Sequence, residues 1–337
     1  MNEDQRIPEP EVIHTPPEFV VAEEELHQPL GEEIVAGTSL WKDAWRRLLK
    51  NRLAVFGMVV VILVAVASLI GPEIIKRVNG FGPDYIPSDS SLIKSFPPFK
   101  APDGSFSWKH PMGTDNQGRD IMARVLQGGQ ISLMVGIIAT IVSLLIGVAY
   151  GAVAGYLGGR IDNLMMRFVD ILYSLPYIIL VIVLLAMFRS STPVGQLVLL
   201  FIALGSVSWL TMARIVRGQV LSLKNQEFVL AARATGVSTT RIIFRHIVPN
   251  TLGPVIVYAT LTIPTVMLSE AFLSYLGFGV QPPLASWGSL AADGIQNIAI
   301  FPWQLIFPGL TMALTLFSLN FLGDGLRDAL DPQMRKV

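Results

Sequence analysis

LAVFGMVVVILVAVASLI, residues 53–70, runs for eighteen residues without a single charge. As a helix rising 1.5 Å per residue it covers about 27 Å, most of a hydrocarbon core about 30 Å thick. A strand there would leave its backbone N–H and C=O groups without partners, so lipid-compatible apolar runs of this length read as helices. Comparable runs recur at about 131–157, 169–188, 194–213, 251–275 and 302–322. None shows the ten-residue alternation of a membrane barrel, and the pattern predicts an all-α integral membrane protein with six transmembrane helices. Composition points the same way, because 15% charged residues is well below the roughly 25% of a soluble domain.

The neutral total charge hides a strong asymmetry. Residues 1–37 hold ten of the 25 acids and only one base, Arg6, while the rest of the chain carries the other 24 bases and 15 acids. Rich in Pro and poor in aromatics, the 1–37 segment buries too little apolar surface to order itself and is expected to be a disordered acidic tail. It lacks a basic region followed by an apolar one, so the first span reads as a retained signal anchor, within 53–71. Just before it, residues 38–52 place Trp41, Trp45, Leu48 and Leu49 at i, i+4, i+7 and i+8 with bases between them, the pattern of an interfacial amphipathic helix in contact with membrane lipid. The absence of cysteine excludes disulfides, thiolate nucleophiles and Cys-based zinc sites.

Orientation follows from the short flanks, where bases stay on the cytoplasmic side. Lys42, Arg46, Arg47, Lys50 and Arg52 precede the first span, Arg160 and Arg167 lie between the second and third, and Arg214, Arg217, Lys224, Arg233, Arg241 and Arg245 lie between the fourth and fifth. Both termini are therefore expected in the cytoplasm, with 72–128 an extracytoplasmic loop, 129–325 a five-helix core that includes a cytoplasmic loop at 217–250, and 326–337 a short C-terminal tail. Within the second span, Gly147, Gly151, Gly155 and Gly159 continue a four-residue ridge of small side chains begun by Ala139 and Ser143, which predicts close approach of another helix.

The most unusual stretch is EFVLAARATGVSTTRIIFRHIVPN, residues 227–250. Residues 227–235 have the Ala-rich character of a short helix, and Gly236 can adopt the left-handed conformation that ends one. Ser238 or Thr239 can cap a second helix that runs to Pro249, where the missing N–H marks a new start. Two short helices meeting at a glycine corner, too polar to insert and too apolar to float free, predict a loop held by another protein.

Other chemistry is sparse. Glu270 is the one acid well inside an apolar stretch and is a pathway candidate, but 19 residues past Thr251 it is about 28 Å along a helix, near the outer surface, which favours a structural hydrogen-bonding role. Asp115, Arg119 and Asp120 in GTDNQGRD read as a self-satisfied turn and salt bridge rather than a metal site. The four histidines are scattered, no HExxH and no catalytic grouping of Ser, His and acid is legible, and the bases lack the interleaved aromatics of a nucleic-acid surface. No Gly-Lys pair occurs, so the chain carries no Walker A phosphate loop. An ion-coupled secondary transporter would call for mid-membrane acid or His relays, and the sequence offers only Glu270 and Asp170, at a span's edge.

Together these stretches resemble a known family. Leu230, Ala231 and Ala232, then Gly236 and His246-Ile247-Val248-Pro249, are similar to the EAA loop of binding-protein-dependent ABC importer permeases, with Leu230 in place of the name-giving Glu. HPMGTDNQGRD (110–120), GGQISLMVG (128–136) and SEAFLSYLGFGVQPPLASWG (269–288) resemble the dipeptide, oligopeptide and nickel branch, and VSWLTMARIVRGQVLSLK (207–224) and NFLGDGLRDALDP (320–332) resemble its C-type subunits. The resemblance implies a type I ABC importer permease fold in a bacterial inner membrane, a non-catalytic subunit that binds no cofactor itself, and import of oligopeptides or dipeptides, with nickel, glutathione or another small solute as the alternative cargo. It implies as partners a homologous B-type permease subunit in a heterodimer, two ABC ATPase subunits that hold ATP and Mg, and an extracytoplasmic solute-binding protein. It also implies an ATPase-coupling role for Glu227, Leu230, Ala231, Ala232, Arg233, Gly236, Arg241, Arg245, His246 and Pro249, with the small alanines allowing close docking and the arginines available to acids on the ATPase.

Overall fold

The computed structural model describes residues 40–331; the acidic tail expected at 1–37 and the last six residues of the C-terminal tail lie outside the described residues. The described chain is helical throughout its ordered elements. A surface helix α1 (Leu40–Lys50) leads into α2 (Arg52–Asn79), whose N-terminus is capped by the Asn51 side chain through the Leu53 and Ala54 amides. After an irregular stretch with one 3₁₀ turn come α3 (Ile121–Leu157), α4 (Gly159–Tyr173), α5 (Tyr177–Met187) and α6 (Pro193–Leu223). A short α7 (Glu227–Ala234) and a single turn α8 (Thr239–Arg241) precede a π-helical turn (Ile242–Ile247), which runs directly into α9 (Val248–Tyr275). Helix α10 (Trp287–Gln296) and the long α11 (Trp303–Leu330) complete the chain.

Five helical segments are long and apolar enough to cross a membrane: α2, α3, α6, α11 and the continuous 239–275 rod. The third expected span is instead a broken one, α4 and α5, bent by 84° at residues 174–176. Pro176 explains the break, since it cannot donate to the preceding turn and its ring crowds the residue before it. Helix α2 continues to Asn79 and α3 starts ten residues before 131, so the irregular stretch between the two helices is residues 80–120. Asp120 makes that early start possible by accepting the Ala123 amide at 2.7 Å as the N-cap.

Among the described residues, helices α3 and α6 form the most extensive helix pairing. A Cβ placed on Gly147 would crowd Met212 and the Trp209 carbonyl, one on Gly151 would overlap the Ala213 carbonyl, and one on Gly155 would lie 2.9 Å from the Arg217 carbonyl. Gly159 does not extend this ridge: it opens α4 with φ +57°, and nothing lies near its missing side chain. Helix α4, which follows α3 directly, is tied to the same helix α6 by a bidentate ion pair in which Arg217 Nε and Nη2 donate to the two Asp162 oxygens at 2.6 and 2.7 Å. Elsewhere, α1 lays Ala44 and Leu48 against the end of α11 and leaves Trp41, Trp45 and Leu49 exposed. Leu48 thus faces the protein, not the surface shared by the two tryptophans.

Candidate functional site

Three features stand out, and the first is the elbow formed by residues 224–250. Val229 and Ala232 of α7, with Ile242, Ile243 and Ile247 of the π turn, are buried against α3, α6 and α9 through Ala152, Met212, Val216 and Val255. At roughly 25 cal/mol per Å² of apolar area, burying these five side chains holds the elbow firmly to the helices it follows. Gly236 makes the corner: its φ is +76°, its amide donates to the Arg233 carbonyl, and the Val237 amide reaches back to the Ala232 carbonyl. Space around its missing side chain is open, so glycine is demanded by backbone conformation and not by packing.

The opposite face of the elbow is exposed and mixed. It presents Phe228, Leu230, Ala231 and Phe244 together with Glu227, Arg241, Arg245 and Pro249. Two expected contributors have partners within the chain. Ala232 is buried, so its small side chain serves docking within the chain, and Arg233 stacks over the Tyr156 ring at 5.6 Å while reaching its hydroxyl at 3.4 Å. His246 is half-buried and its backbone carbonyl accepts the Asn250 side-chain amide. Ser238 occupies the cap position without a side-chain capping bond. No break occurs at Pro249, which sits in the first turn of α9, where a missing N–H costs little.

The second feature is a cavity of about 650 Å³ at the bend of the broken span. It lies between residues 172–177, the Val207–Thr211 part of α6 and the Tyr258–Ser269 part of α9. Tyr258, Thr262, Thr265 and Ser269, spaced four, three and four residues apart, place a stripe of hydroxyls on one face of α9. At its edge Arg214 donates to Asp170 at 2.8 Å and lies 4.1 Å over the Tyr173 ring. Neither this pair nor the Asp162–Arg217 pair was anticipated; the available signal was two acids on α4 matched by two bases on α6.

The third is a lock around Glu270, which is 1% exposed. The sequence places it near a surface where an acid is cheap, but the segment after α9 folds back over it, and Gly288 packs against the Ala271 backbone. Its Oε1 accepts from the Ser274 and Ser286 hydroxyls at 2.6 and 2.7 Å. Ser286 also accepts the Ser289 amide as the N-cap of α10. The next residue, Trp287, is fully buried and ties α10 to α3 through its amide to Ser132 Oγ at 3.0 Å and its indole N–H to the Val125 carbonyl at 2.8 Å. Glu270 thus anchors a folded-back helix and does not line the cavity.

The GTDNQGRD turn is self-satisfied. Asp115 accepts from Arg119 Nε and Arg124 Nη1 through one oxygen and from the Gln117 and Arg119 amides through the other. Asp120 pairs with His110 Nδ1 at 2.8 Å in addition to its capping bond. Asp293 of α10 sits in the field of Arg124 and Arg119, yet burial is the larger influence and pushes its carboxyl above the usual carboxylate range. Among the described residues no group of three or more potential metal-ligating side chains forms.

Residues 147–336 match the family described as the binding-protein-dependent transport system inner membrane component, and residues 39–92 match the N-terminal TM domain of oligopeptide transport permease C. The oligopeptide transport system permease protein OppC of Bacillus subtilis (strain 168) is 45% identical over 299 residues, covering 88% of this chain and 91% of that protein. Its counterpart in Escherichia coli (strain K12) is 47% identical over 301 residues, 89% of this chain and 94% of that protein. The dipeptide transport system permease protein DppC of Bacillus subtilis (strain 168) is 42% identical over 334 residues, 99% and 98% of the two chains. An inward-facing structure of the MetNI methionine ABC transporter aligns at 20% identity with a TM-score of 0.47, over 63% of this chain and 98% of that one.

Proposed function

Since the chain belongs to the binding-protein-dependent transport system inner membrane components, we propose that it is one permease subunit of an ATP-driven importer of oligopeptides or dipeptides. The observation that carries this reading is near-full-length identity of 42–47% to oligopeptide and dipeptide permease proteins. In this reading a homologous permease subunit supplies the other half of the pathway, two ATPase subunits bind on the cytoplasmic side, and a solute-binding protein delivers cargo from outside. The positive flanks put both termini and the 224–250 elbow in the cytoplasm.

The elbow's two faces suit a coupling role. Its buried face, built on Val229, Ile242, Ile243 and Ile247, fastens it to α3, α6 and α9, so force applied to the elbow is passed to the spans and not absorbed by a loose loop. Its exposed face offers Phe228, Leu230, Ala231 and Phe244 for a groove in an ATPase, with Arg241 and Arg245 flanking. Closure of two ATPases on nucleotide would then draw the elbows together and swing the spans between inward-open and outward-open states.

Reconstitution of this chain with its partner subunits and binding protein in proteoliposomes tests the reading, with uptake of a radiolabelled tripeptide as the readout. Uptake should require ATP and all four membrane-associated subunits. Gly236→Val forces a β-branched residue into a positive-φ conformation and should cut uptake by about an order of magnitude without lowering the amount of inserted chain. ATP hydrolysis by the purified chain alone, or unaltered uptake by the Gly236→Val complex, would overturn the proposal.

A further inference from the structure

The cavity at the bend of the broken span has a chemical bias that its composition alone does not reveal. At about 650 Å³ it falls within the roughly 300–1,000 Å³ of small-ligand sites, and among the described residues lining it none is charged. A serine or threonine hydroxyl has one proton to donate and two lone pairs to accept with. Around this cavity the proton is already committed. Ser174 donates to the Ile171 carbonyl at 2.7 Å, Ser208 to Leu204 at 2.7 Å, Thr262 to Tyr258 at 2.8 Å, Thr265 to Leu261 at 3.2 Å and Ser269 to Thr265 at 2.9 Å. Each of the five hydroxyls thus retains only acceptor capacity for anything else. The wall carries no charge, and the phenolic protons of Tyr177 and Tyr258 are directed into the wall itself. The Tyr177 hydroxyl faces Ser208 and Ser269, and the Tyr258 hydroxyl faces Thr211 and Thr262, which leaves each of the five hydroxyls at least one of its two lone pairs.

We propose that this wall is a binding site for the main-chain N–H groups of an extended peptide in transit, an inference that rests on the peptide reading above and assigns its substrate contacts. Thr262, Thr265 and Ser269 span about 10 Å along α9, the length of about three residues of extended chain. A site that addresses the N–H groups common to every peptide bond is indifferent to side-chain identity. An unpaired fixed charge at this depth would instead hold cargo of one sign too tightly to release it. Arg214, near Tyr173 of the wall, is already engaged by Asp170 and the Tyr173 ring, so it adds no such trap.

The experiment compares, in the complete reconstituted complex, a tripeptide and the same tripeptide methylated at one internal amide nitrogen, each supplied at saturation of the binding protein. The wild-type complex should transport the methylated peptide about 3- to 10-fold more slowly, the effect of one lost hydrogen bond. The triple variant Thr262→Val, Thr265→Val, Ser269→Ala should transport both at one reduced rate, because the α9 acceptors that tell them apart are gone. Equal rates for the two peptides in the wild type, or a triple variant that keeps the wild-type rate and preference, overturn the assignment while leaving peptide import intact. Absence of any peptide uptake by the wild-type complex overturns the function itself.

The chain's lack of cysteine supplies a second measurement that does not depend on the triple variant folding. Ser208→Cys and Ser269→Cys change one atom each and introduce single labelling sites. Both should react with a water-soluble maleimide, and the tripeptide should slow labelling of both under transport conditions. Failure to label, or labelling that peptide does not slow, counts against a water-filled substrate site at this bend.

Discussion

The α3–α6 contact gives the most direct test of the packing. A methyl group added at Gly151 would overlap the Ala213 carbonyl and lie 3.0 Å from both the Arg217 amide nitrogen and Val216 Cβ. Two of these three atoms belong to the α6 backbone, so no rotamer change relieves the clash and α6 must retreat. Retreat loosens the neighbouring contacts at Gly147 and Gly155. Overpacking of this kind costs about 1–3 kcal/mol, against which alanine recovers about 1 kcal/mol of helix propensity. Gly218 provides the control, since it lies on the same helix α6 with open space around its missing side chain and should gain about 0.4–1 kcal/mol as alanine. Gly151→Ala should therefore be about 1–3 kcal/mol less stable than Gly218→Ala, or about 2–10 °C in midpoint. Thermal unfolding of the two variants in nanodiscs, followed by tryptophan fluorescence, checks the difference. A Gly151→Ala midpoint equal to or above that of Gly218→Ala would refute the argument that backbone contact, and not composition, selects glycine there.

Removing the acceptor at Glu270 strands the buried Ser286 hydroxyl and the partly buried Ser274 hydroxyl, so Glu270→Ala should lower stability by about 2–3 kcal/mol and expose the 276–286 segment to protease; Glu270→Gln keeps one oxygen for both and should cost less than half as much. Equal behaviour of the two variants would count against the lock. A double-mutant cycle of Asp162→Asn and Arg217→Gln should return a coupling energy of about 1–3 kcal/mol, since Asp162 is buried and the pair is bidentate, and a value near zero would mark it as dispensable. Asp120→Ala removes both the α3 cap and the His110 contact and should cost about 1–2 kcal/mol in the same unfolding assay, with Asp120→Asn recovering most of the capping part.

The membrane character was legible because lipid imposes a single backbone solution on long apolar runs, and the corner at Gly236 was legible because few residues tolerate its backbone conformation. What the sequence concealed was mostly non-local. The apolar character of 169–188 continues across Pro176, so hydropathy hides the bend that creates the cavity, although the proline itself was visible. The ten residues that α3 adds ahead of 131 are hidden in the sequence because Arg124, Gln127 and Gln130 look too polar to continue an apolar run, and only the fold brings Asp115 to Arg124 and the Ser68 carbonyl to Gln130. Glu270 looked superficial because its position along α9 is near the end, whereas its burial comes from a segment returning more than ten residues later. The hydroxyl stripe at 258, 262, 265 and 269 had a helical period and was readable in principle, but each residue taken singly is unremarkable beside a charge.

The π-helical turn at Ile242–Ile247 has a geometric consequence for the rod it begins. An α-helix advances about 100° per residue, so one surplus residue accommodated in a wide turn offsets everything before it from everything after it by about that angle. The azimuth at which Arg241 and the corner at Gly236 stand around the axis of α9, relative to Tyr258 and Thr262, is set by this single extra residue. Rotation and bearing, fixed in the covalent count of the chain, thus decide which compass direction a pull on the elbow takes when it reaches the hydroxyl stripe.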